Sequence, residues 1–405
     1  MEVKIHRSLL SVIEQTLQLV FYQNKLADKE IPKALKHKQF GSRDRAFLAE
    51  TMYDIVRWKL KYEYYAKQFF SRKIKVPDLV LISLLNRKIQ VKNIEIFDIE
   101  NHQLEKINII LDTPILEKNI EQSYSSSFYD YCLNGIGQQW NSLAKTLNEK
   151  AVAYIKINSN KITTEAFSTI LQEERIKHHV IKNVALLPEE KFNTIAIFSK
   201  NNLMQSDYYK KKYFRFQDIG SQYIGHFIHT IIKTRKQVKI LDMCAGVGGK
   251  TLHLSELIGN NGKIYSSEID DIRYNLLRKN TEYSKNITCI PFKEINKQQY
   301  DIVFIDAPCS GSGTFRRQPD LKYKIDKDYI QSKVKIQQEL LEKSTSLIAP
   351  NGIIVYVTCS ILPVENELQI QQFLNHNITF QVIHQQQILP EMLNSDGFFL
   401  CALKN

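Results

Sequence analysis

The sequence is poor in the features that stabilise small secreted domains or membrane proteins. Its 405 residues include only six scattered cysteines, and no two of them form a CxxC pair. This argues against a disulfide-rich scaffold and a structural zinc site, and we expect no bound metal. No run of 18 or more uncharged apolar residues occurs, so we expect no transmembrane helix. The first residues lack an apolar stretch followed by a cleavage site, so we expect no signal peptide and a cytoplasmic location.

Acidic residues are also in deficit. Asp and Glu number 43 against 55 Lys and Arg, which gives a formal net charge of +12 at pH 7. Such a balance favours an acidic partner, with nucleic acid first and an anionic membrane surface second. No internal repeat or low-complexity tract is present. At about 150 residues per domain, the length corresponds to two or three domains.

Three segments of different character follow one another, and we expect a domain for each. Residues 1–145 carry apolar residues at helical spacing, clearest up to Phe70, and predict an all-α domain in which Ser42 caps a helix. Residues 146–212 mix strand and helix patterns and predict a small α+β subdomain. Residues 213–405 alternate strands and helices and predict an α/β domain with a mostly parallel, doubly wound sheet.

Basic and aromatic residues are interleaved in two places. One run extends from Arg57 to Phe70, and the other is YYKKKYFRF, from Tyr208 to Phe216. Both could face RNA. The first could equally be a helix with an aromatic core face and solvated lysines, and the second could be an edge strand, so both interpretations stay open.

A glycine-rich turn follows the first strand of the α/β domain, in ILDMCAGVGGKT. Glycines let the backbone approach a ligand closely, and the N-terminus of the next helix offers free N–H groups. Cys244 stands where a Walker A motif needs glycine, and the GxGxxG spacing is absent. The next strand leads to Glu268, at a position where such folds bind a ribose diol. Turn and acid together predict a nucleoside-bearing cofactor.

Two cysteines stand at predicted strand ends fifty residues apart. In YDIVFIDAPCSGSGTFRR an apolar strand ends at Asp306, and Cys309 opens the next loop beside Arg316 and Arg317. An exposed, electropositive setting of this kind lowers the pKa of a thiol. Cys359 follows a second strand, GIIVYVT, so the two thiols could converge on one pocket.

Other chemistries fit these residues less well. Zinc nucleobase deaminases need an upstream HxE and a second cysteine three residues after the first, where Ser312 stands. The Asp/Asn-Pro-Pro-aromatic strand end of amino-group methyltransferases is absent. Either cysteine alone could be a buried structural thiol. Together they indicate thiolate chemistry on a base carbon.

Six motifs resemble the RsmB/Nop/Sun family of S-adenosylmethionine-dependent RNA cytosine-5 methyltransferases, and the likeness extends over essentially the whole chain. They are FQDIGSQ, LDMCAGVGGKT, KIYSSEIDDIR, DAPCSGSGTFRRQPDLK, VTCSILPVENE and DGFFLCALK. The resemblance implies a Rossmann-like class I S-adenosylmethionine-dependent methyltransferase domain, a small α+β RNA-recognition subdomain and an all-α NusB-like N-terminal domain. The segment DRAFLAETMYDIVRW resembles the NusB-like domain of the RsmB branch, which implies 5-methylcytosine formation in 16S ribosomal RNA.

The family mechanism gives roles to four residues of this sequence. Cys359 would add as thiolate to carbon 6 of cytosine, and Cys309 would assist removal of the carbon 5 proton so that the protein thiol leaves. Asp306 would hydrogen-bond the cytosine edge. Lys250 would lie near the cofactor carboxylate or the target base. Because a duplex hides carbon 6, the target would be a looped or extruded base.

The resemblance also implies a site for S-adenosylmethionine. Glu268 would hold the ribose, Arg273 would steady that site, and Asp306 would also contribute to it. The methionine end would lie along the turn formed by Cys244, Ala245, Gly246, Val247, Gly248, Gly249 and Lys250.

Two departures from the family pattern concern this cofactor site. Val247 stands where proline is usual. Pro291 and Phe292 occupy the neighbourhood of an aspartate expected to meet the adenine amino group. A main-chain carbonyl or Asn296 could take its place.

Three alternatives stay open. The substrate could be transfer RNA, or the chain could be a non-catalytic RNA-binding assembly factor with a decayed cofactor pocket. Cys309 could also be the attacking thiol, as in the DNA cytosine-5 enzymes. For the leading hypothesis we expect a monomer that acts on small-subunit ribosomal RNA or its assembly intermediate, away from membranes.

Overall fold

The chain folds into two compact units. The computed structural model describes residues 2–36, 40–198 and 203–405. Unit 1 comprises Met1–Glu149 and Phe315–Asp326, and unit 2 comprises Lys150–Thr314 and Lys327–Asn405. Across the described residues, no helix has the length and apolar character needed to cross a membrane.

Unit 1 is mostly helical. Its helices and strands are β1 (Glu2–Val3), α1 (Arg7–Tyr22), α2 (Ala27–Ala34), α3 (Ser42–Phe69), α4 (Val76–Asn86), β2 (Gln90–Val91), α5 (Asn101–Asp112), α6 (Lys118–Glu121), α7 (Ser126–Ile136) and α8 (Trp140–Thr146). β1 and β2 form a short parallel pair. One apolar core extends over α1 to α5, since each of these helices has an apolar face. The helical pattern visible up to Phe70 therefore continues through the stretch that follows it.

The start of α3 differs from the sequence prediction. Gly41, not Ser42, is the N-cap residue. The Asp44 carboxylate reaches back and accepts the N–H of Gly41 at 3.1 Å. The prediction of Ser42 as the cap is wrong because a side chain inside the first turn satisfies the exposed backbone donor.

The basic and aromatic run on α3 faces the core of unit 1. Tyr62 and Tyr65 are buried, and Lys59 forms an ion pair with Glu63 at 3.5 Å. This favours the interpretation of an amphipathic helix over that of an RNA-facing surface.

Residues 315–326 belong to unit 1, although the residues on both sides of them belong to unit 2. Lys322 is fully buried in this segment, with its ammonium group over the rings of Trp58 and Tyr124. Burying a long charged side chain requires such compensating contacts. The predicted domain 213–405 is therefore interrupted by a segment that packs in unit 1.

Unit 2 begins with a small antiparallel sheet. Its elements are β3 (Ala153–Ile157), α9 (Thr164–Glu173), β4 (His178–Ile181), β5 (Thr194–Ile197), α10 (Asp207–Lys210) and β6 (Phe214–Phe216). The strand order is β4-β5-β3-β6, with every pair antiparallel. The run YYKKKYFRF forms α10 and the edge strand β6, with its lysines exposed between them.

The larger sheet of unit 2 has seven strands. The remaining elements are α11 (Ile219–Ile232), β7 (Val238–Asp242), α12 (Gly249–Ile258), β8 (Gly262–Ser266), α13 (Asp271–Thr281), β9 (Ile287–Cys289), β10 (Tyr300–Asp306), α14 (Lys327–Thr345), β11 (Ile348–Thr358), α15 (Glu367–His376), β12 (Gln381–Ile388), α16 (Pro390–Leu393) and β13 (Phe398–Lys404). The strand order is β12-β13-β11-β10-β7-β8-β9, and β13 alone in this sheet runs against its neighbours.

This order places a ligand site at the centre of the sheet. From β7 the chain moves outward through β8 and β9, then returns to β10 on the other side of β7. Open parallel sheets bind ligands beyond the carboxyl ends of the strands at such a reversal. The central strands are almost entirely buried apolar residues, because helices cover both faces. After Lys239 in β7 and Asp301 in β10, the next polar side chains are Asp242 and Asp306, at the carboxyl ends.

Candidate active site

The turn after β7 leaves space beside the N-terminus of α12. Gly246 and Gly248 have φ angles of +57° and +94°, in the region that favours glycine. A Cβ atom added at Gly246 or Gly249 would meet no other atom within 4 Å. The turn thus leaves an open cradle lined by main-chain atoms, next to a helix end with free N–H groups.

Glu268 closes one side of this cradle. It lies two residues beyond β8 and is buried. Its Oε2 accepts the N–H of Gly246 at 3.0 Å, and its Oε1 accepts the N–H of Asp270 at 3.0 Å. Arg273 forms an ion pair with the same carboxylate at 3.1 Å. The structure therefore brings Glu268 and Arg273 to the glycine turn.

Asp242 is a buried carboxylate that the sequence analysis does not single out. Its Oδ2 accepts the hydroxyl of Thr251 at 2.6 Å. Among the residues that the structure describes, its Oδ1 and the Ser267 hydroxyl are buried without a hydrogen-bond partner. Burial raises the pKa of Asp242 to about 7. Its position as the last residue of a buried apolar strand was the available signal.

The cradle fits a ligand with polar groups at both ends. It offers open main-chain space at the turn and a fixed carboxylate in Glu268, and the fully buried residues Asp242 and Ser267 beside the turn carry unpartnered polar atoms. Buried polar atoms without partners are costly unless a ligand or water meets them. The set suits the ribose and amino-acid ends of S-adenosylmethionine.

Lys250 and Asp306 face each other next to the cradle. Lys250 lies in the first turn of α12, and Asp306 ends β10. Their Nζ and Oδ2 atoms are 2.7 Å apart. Burial opposes the charge on Lys250, but the carboxylate of Asp306 outweighs it, and the pKa of Lys250 is raised. Lys250 also interacts electrostatically with Cys359.

The two strand-end thiols lie in contact. Cys309 and Cys359 follow the adjacent strands β10 and β11, and their Sγ atoms are 3.2 Å apart with both thiols free. Contact with Cys359 and burial raise the pKa of Cys309 well above its usual value. The expectation that Cys309 has a lowered pKa is therefore wrong, because this thiol is partly buried and lies against another thiol.

Glu365 is the other carboxylate that the sequence analysis does not single out. It is fully buried at the end of a 3-10 turn, Pro363–Glu365, and accepts hydrogen bonds from both cysteine loops. The signal for it was an acid directly after the apolar residues ILPV that follow TCS.

The family pattern places an adenine-binding aspartate near positions 291 and 292. Pro291 and Phe292 stand there instead, and neither has a carboxylate. Phe292 packs against the apolar core on one side of the sheet. Asn296 is exposed on the 3-10 turn Phe292–Lys297.

The sequence relatives are described as methyltransferases of small-subunit ribosomal RNA. A family model described as 16S rRNA methyltransferase RsmB/F matches residues 229–404. Ribosomal RNA small subunit methyltransferase B of Proteus mirabilis is 24% identical over 432 residues, and the match covers 99% of each protein. Probable ribosomal RNA small subunit methyltransferase B of Synechocystis sp. is 31% identical over 216 residues, which is 46% of this chain and 47% of that protein.

Solved structures share the fold. The crystal structure of PH0851 matches over 100% of both chains with a TM-score of 0.77 at 20% identity. NSun6 from Pyrococcus horikoshii, solved with SFG, matches 70% of this chain and 98% of its own with a TM-score of 0.60 at 17% identity.

The seven-stranded sheet, the glycine cradle and these relatives define an S-adenosylmethionine-dependent methyltransferase with a Rossmann-like catalytic domain and additional domains. The fold and the cofactor predicted from the motifs are thereby confirmed. Residues 229–404, which carry both cysteine motifs, match the model of the RsmB/F methyltransferases, in agreement with the resemblance seen in the sequence.

Proposed function

We propose that this methyltransferase acts on RNA and forms 5-methylcytosine in small-subunit ribosomal RNA. The observation that carries the proposal is the contact between two free thiols, 3.2 Å apart, just beyond the ends of β10 and β11, where β10 also ends in Asp306. The names of the relatives support ribosomal RNA as substrate. The formal net charge of +12 supports a nucleic-acid partner.

A thiol is needed because carbon 5 of cytosine is a poor nucleophile. Addition of the Cys359 thiolate to carbon 6 makes an enamine whose carbon 5 is nucleophilic. Cys309 is the less suitable attacker, since its raised pKa keeps it neutral while it contacts Cys359. The raised pKa of Cys309, together with the favourable interaction of Lys250 with a charged Cys359, supports Cys359 in the attacking role.

Asp306 and Lys250 act on the ring. A carboxylate held 2.7 Å from an ammonium group has a fixed orientation and can accept a hydrogen bond from the cytosine edge. Lys250 balances the charge of Asp306 and lies close enough to Cys359 to interact with it electrostatically. Both groups thus stabilise charge that develops during addition to the ring.

The cofactor supplies the methyl group that carbon 5 takes up, as an electrophilic carbon on a sulfonium. Glu268 and the main chain from Cys244 to Gly249 would hold it in the open cradle. Arg273 fixes Glu268 by an ion pair at 3.1 Å.

Release requires loss of the carbon 5 proton and departure of the Cys359 sulfur. The largest contribution to the raised pKa of Cys309 is its contact with Cys359. Once the Cys359 sulfur is bonded to carbon 6, that contribution ends, so Cys309 ionises more readily and can accept the proton. This order gives the two thiols different roles.

A non-catalytic assembly factor is the second candidate. The absence of a carboxylate at Pro291 and Phe292 favours it, because one expected contact to adenine is missing. The intact arrangement of Cys309, Cys359 and Asp306 favours the enzyme.

Trapping the covalent adduct tests the proposal. Cys309→Ala is mixed with S-adenosylmethionine and unmodified small-subunit ribosomal RNA, then run on a denaturing gel. We expect a slow-migrating protein–RNA band, because addition still occurs and release fails. Cys359→Ala is the matched control and should give no band. A band with Cys359→Ala but not with Cys309→Ala would make Cys309 the attacker, and no band with either variant would contradict the mechanism.

A further inference from the structure

Each thiol of the pair is followed in sequence by a serine, and both serines bind one carboxylate. The Ser310 hydroxyl donates to Oε2 of Glu365 at 2.5 Å, and the Ser360 hydroxyl donates to the same oxygen at 2.6 Å. The main-chain N–H of Ser310 donates to Oε1 at 2.7 Å. Glu365 therefore joins the two loops that carry Cys309 and Cys359.

The Glu365 carboxylate is fully occupied and rigidly held. A fourth donor, the Gln337 side chain, reaches Oε1 at 3.1 Å and also donates to the Pro308 carbonyl at 3.0 Å. Glu365 is 0% exposed. A buried carboxylate is tolerated when several donors meet it, and such a network fixes its members in one arrangement.

Asn366, the next residue after Glu365, bonds to the Cys359 loop and not to the Cys309 loop. Asn366 donates to the Ser360 carbonyl at 3.0 Å and accepts the Thr358 hydroxyl at 2.6 Å, both on the Cys359 loop. A second link between the loops is the Ser312 hydroxyl, 2.9 Å from that of Ser360. Glu365 differs because its side chain bonds to both Ser310 and Ser360, the residues that follow the two thiols.

The charge of Glu365 does not explain its position. Contact with Cys359 and burial are the main causes of the raised pKa of Cys309, and the negative charge of Glu365 adds to them. A carboxylate here makes thiolate formation at Cys309 harder. Its contribution to the site is therefore geometric.

We propose that Glu365 is a positioning residue that sets the spacing of the Cys309 and Cys359 thiols by holding both loops. The inference deepens the proposed function, on which its catalytic meaning rests. Without the carboxylate, Ser310 loses two hydrogen bonds and Ser360 loses one. Links such as the main-chain bond from Gly313 to the Cys359 carbonyl at 3.0 Å remain, but they lie on the far side of Ser310 from Cys309, so the sulfur atoms spend less time in contact.

The rate at which Cys309 and Cys359 form a disulfide reports how often their sulfur atoms meet, and the experiment needs neither RNA nor cofactor. The folded, full-length protein is treated with diamide, and the Cys309–Cys359 disulfide is followed by peptide mass mapping. The two thiols lose two electrons and two protons, and diamide takes them up to become a hydrazine. A disulfide needs its sulfur atoms about 2 Å apart, so its rate of formation depends on how often the thiols meet.

Glu365→Ala is the main variant, and Gln369→Ala is the matched control. Gln369 is equally buried one turn further along and donates to the Val334 carbonyl at 2.8 Å, away from both loops. We expect the disulfide to form at least about ten-fold more slowly in Glu365→Ala, since a misplacement near 1 Å has effects of that order or larger. Gln369→Ala should close at the wild-type rate.

The direction of the change in disulfide-formation rate distinguishes a change in sulfur spacing from a change in the acidity of Cys309. Removal of the Glu365 charge by itself eases ionisation of Cys309 and would speed oxidation, so slower closure reports lost contact. Glu365→Gln keeps the side-chain length, and serine hydroxyls can turn to accept from its amide. We expect its rate to lie between those of wild type and Glu365→Ala.

Two results would overturn the inference. One is closure at the wild-type rate in folded Glu365→Ala. If Glu365→Ala does not fold, Glu365→Gln and Ser360→Ala take its place, since Ser360→Ala removes the bond between the carboxylate and the Cys359 loop. Disulfide formation at the wild-type rate in both of these variants is then the second result that would overturn the inference. Because no methyl transfer is measured, this result is independent of whether the proposed function holds.

Discussion

Replacing Lys250 by methionine tests whether its ion pair serves catalysis. The Nζ–Oδ2 distance to Asp306 is 2.7 Å, and the two side chains are 17% and 29% exposed. At an effective dielectric constant of about 20, the gross attraction at this distance is about 6 kcal/mol. Desolvation offsets most of it, which leaves a net stabilisation of about 2 kcal/mol for a partly buried charged hydrogen bond.

The expected loss of activity is larger than the loss of stability. Lys250→Met leaves the Asp306 carboxylate without its partner and removes a positive charge that interacts with Cys359. Loss of one group that stabilises developing charge costs about 10²–10³ in kcat. The assay is single-turnover methyl transfer at saturating S-adenosylmethionine, together with chemical denaturation.

Lys297→Met is the matched control for this variant. Lys297 forms an ion pair of similar length with Glu294, at 2.9 Å, but its side chain is 72% exposed. Water and salt screen an exposed pair of this kind, so stability and kcat should stay near wild type. A folded Lys250→Met variant whose kcat stays within about three-fold of wild type would contradict a catalytic role for the ion pair between Lys250 and Asp306.

Two further predictions concern folding. Burial raises the pKa of Asp242 from 3.8 to about 7, so the folded protein keeps a proton that the unfolded chain releases, and stability falls as pH rises through that interval. Between pH 5 and pH 8, the fall in the free energy of unfolding should be smaller by about 2–4 kcal/mol in Asp242→Asn than in wild type, as measured by urea denaturation at each pH. An equal fall in both proteins would contradict the prediction. Arg57 donates to the carbonyls of Glu149 at 3.2 Å and Arg316 at 2.9 Å. Arg57→Ala should therefore speed hydrogen exchange in residues 315–326, and unchanged exchange there would show that other contacts hold the segment.

The positions of the site residues along the sheet could be predicted from the sequence. Asp242, Asp306 and Thr358 each end a strand of buried apolar residues, and such runs are easily recognised in a parallel sheet. Since the carboxyl ends of parallel strands share one edge, cysteines just beyond two of them are expected to approach each other.

What the sequence could not predict depends on contacts between distant residues. Ser310 and Glu365 are 55 positions apart, and their bond follows from packing after the sheet has formed. Lys322 looks like a solvated lysine in sequence, yet it is fully buried in unit 1. The direction of the pKa shift of Cys309 was wrongly predicted for the same reason, because burial and contact with Cys359 dominate it.

The most direct test of the account is methyl transfer from radiolabelled S-adenosylmethionine to total RNA that lacks the modification. Wild type is compared with Cys359→Ala, and the labelled nucleoside is identified after digestion. We expect label in small-subunit ribosomal RNA as 5-methylcytosine with wild type, and none with Cys359→Ala. Label in transfer RNA would contradict the proposed substrate. Label in any other nucleoside, or undiminished label with Cys359→Ala, would contradict the proposed chemistry.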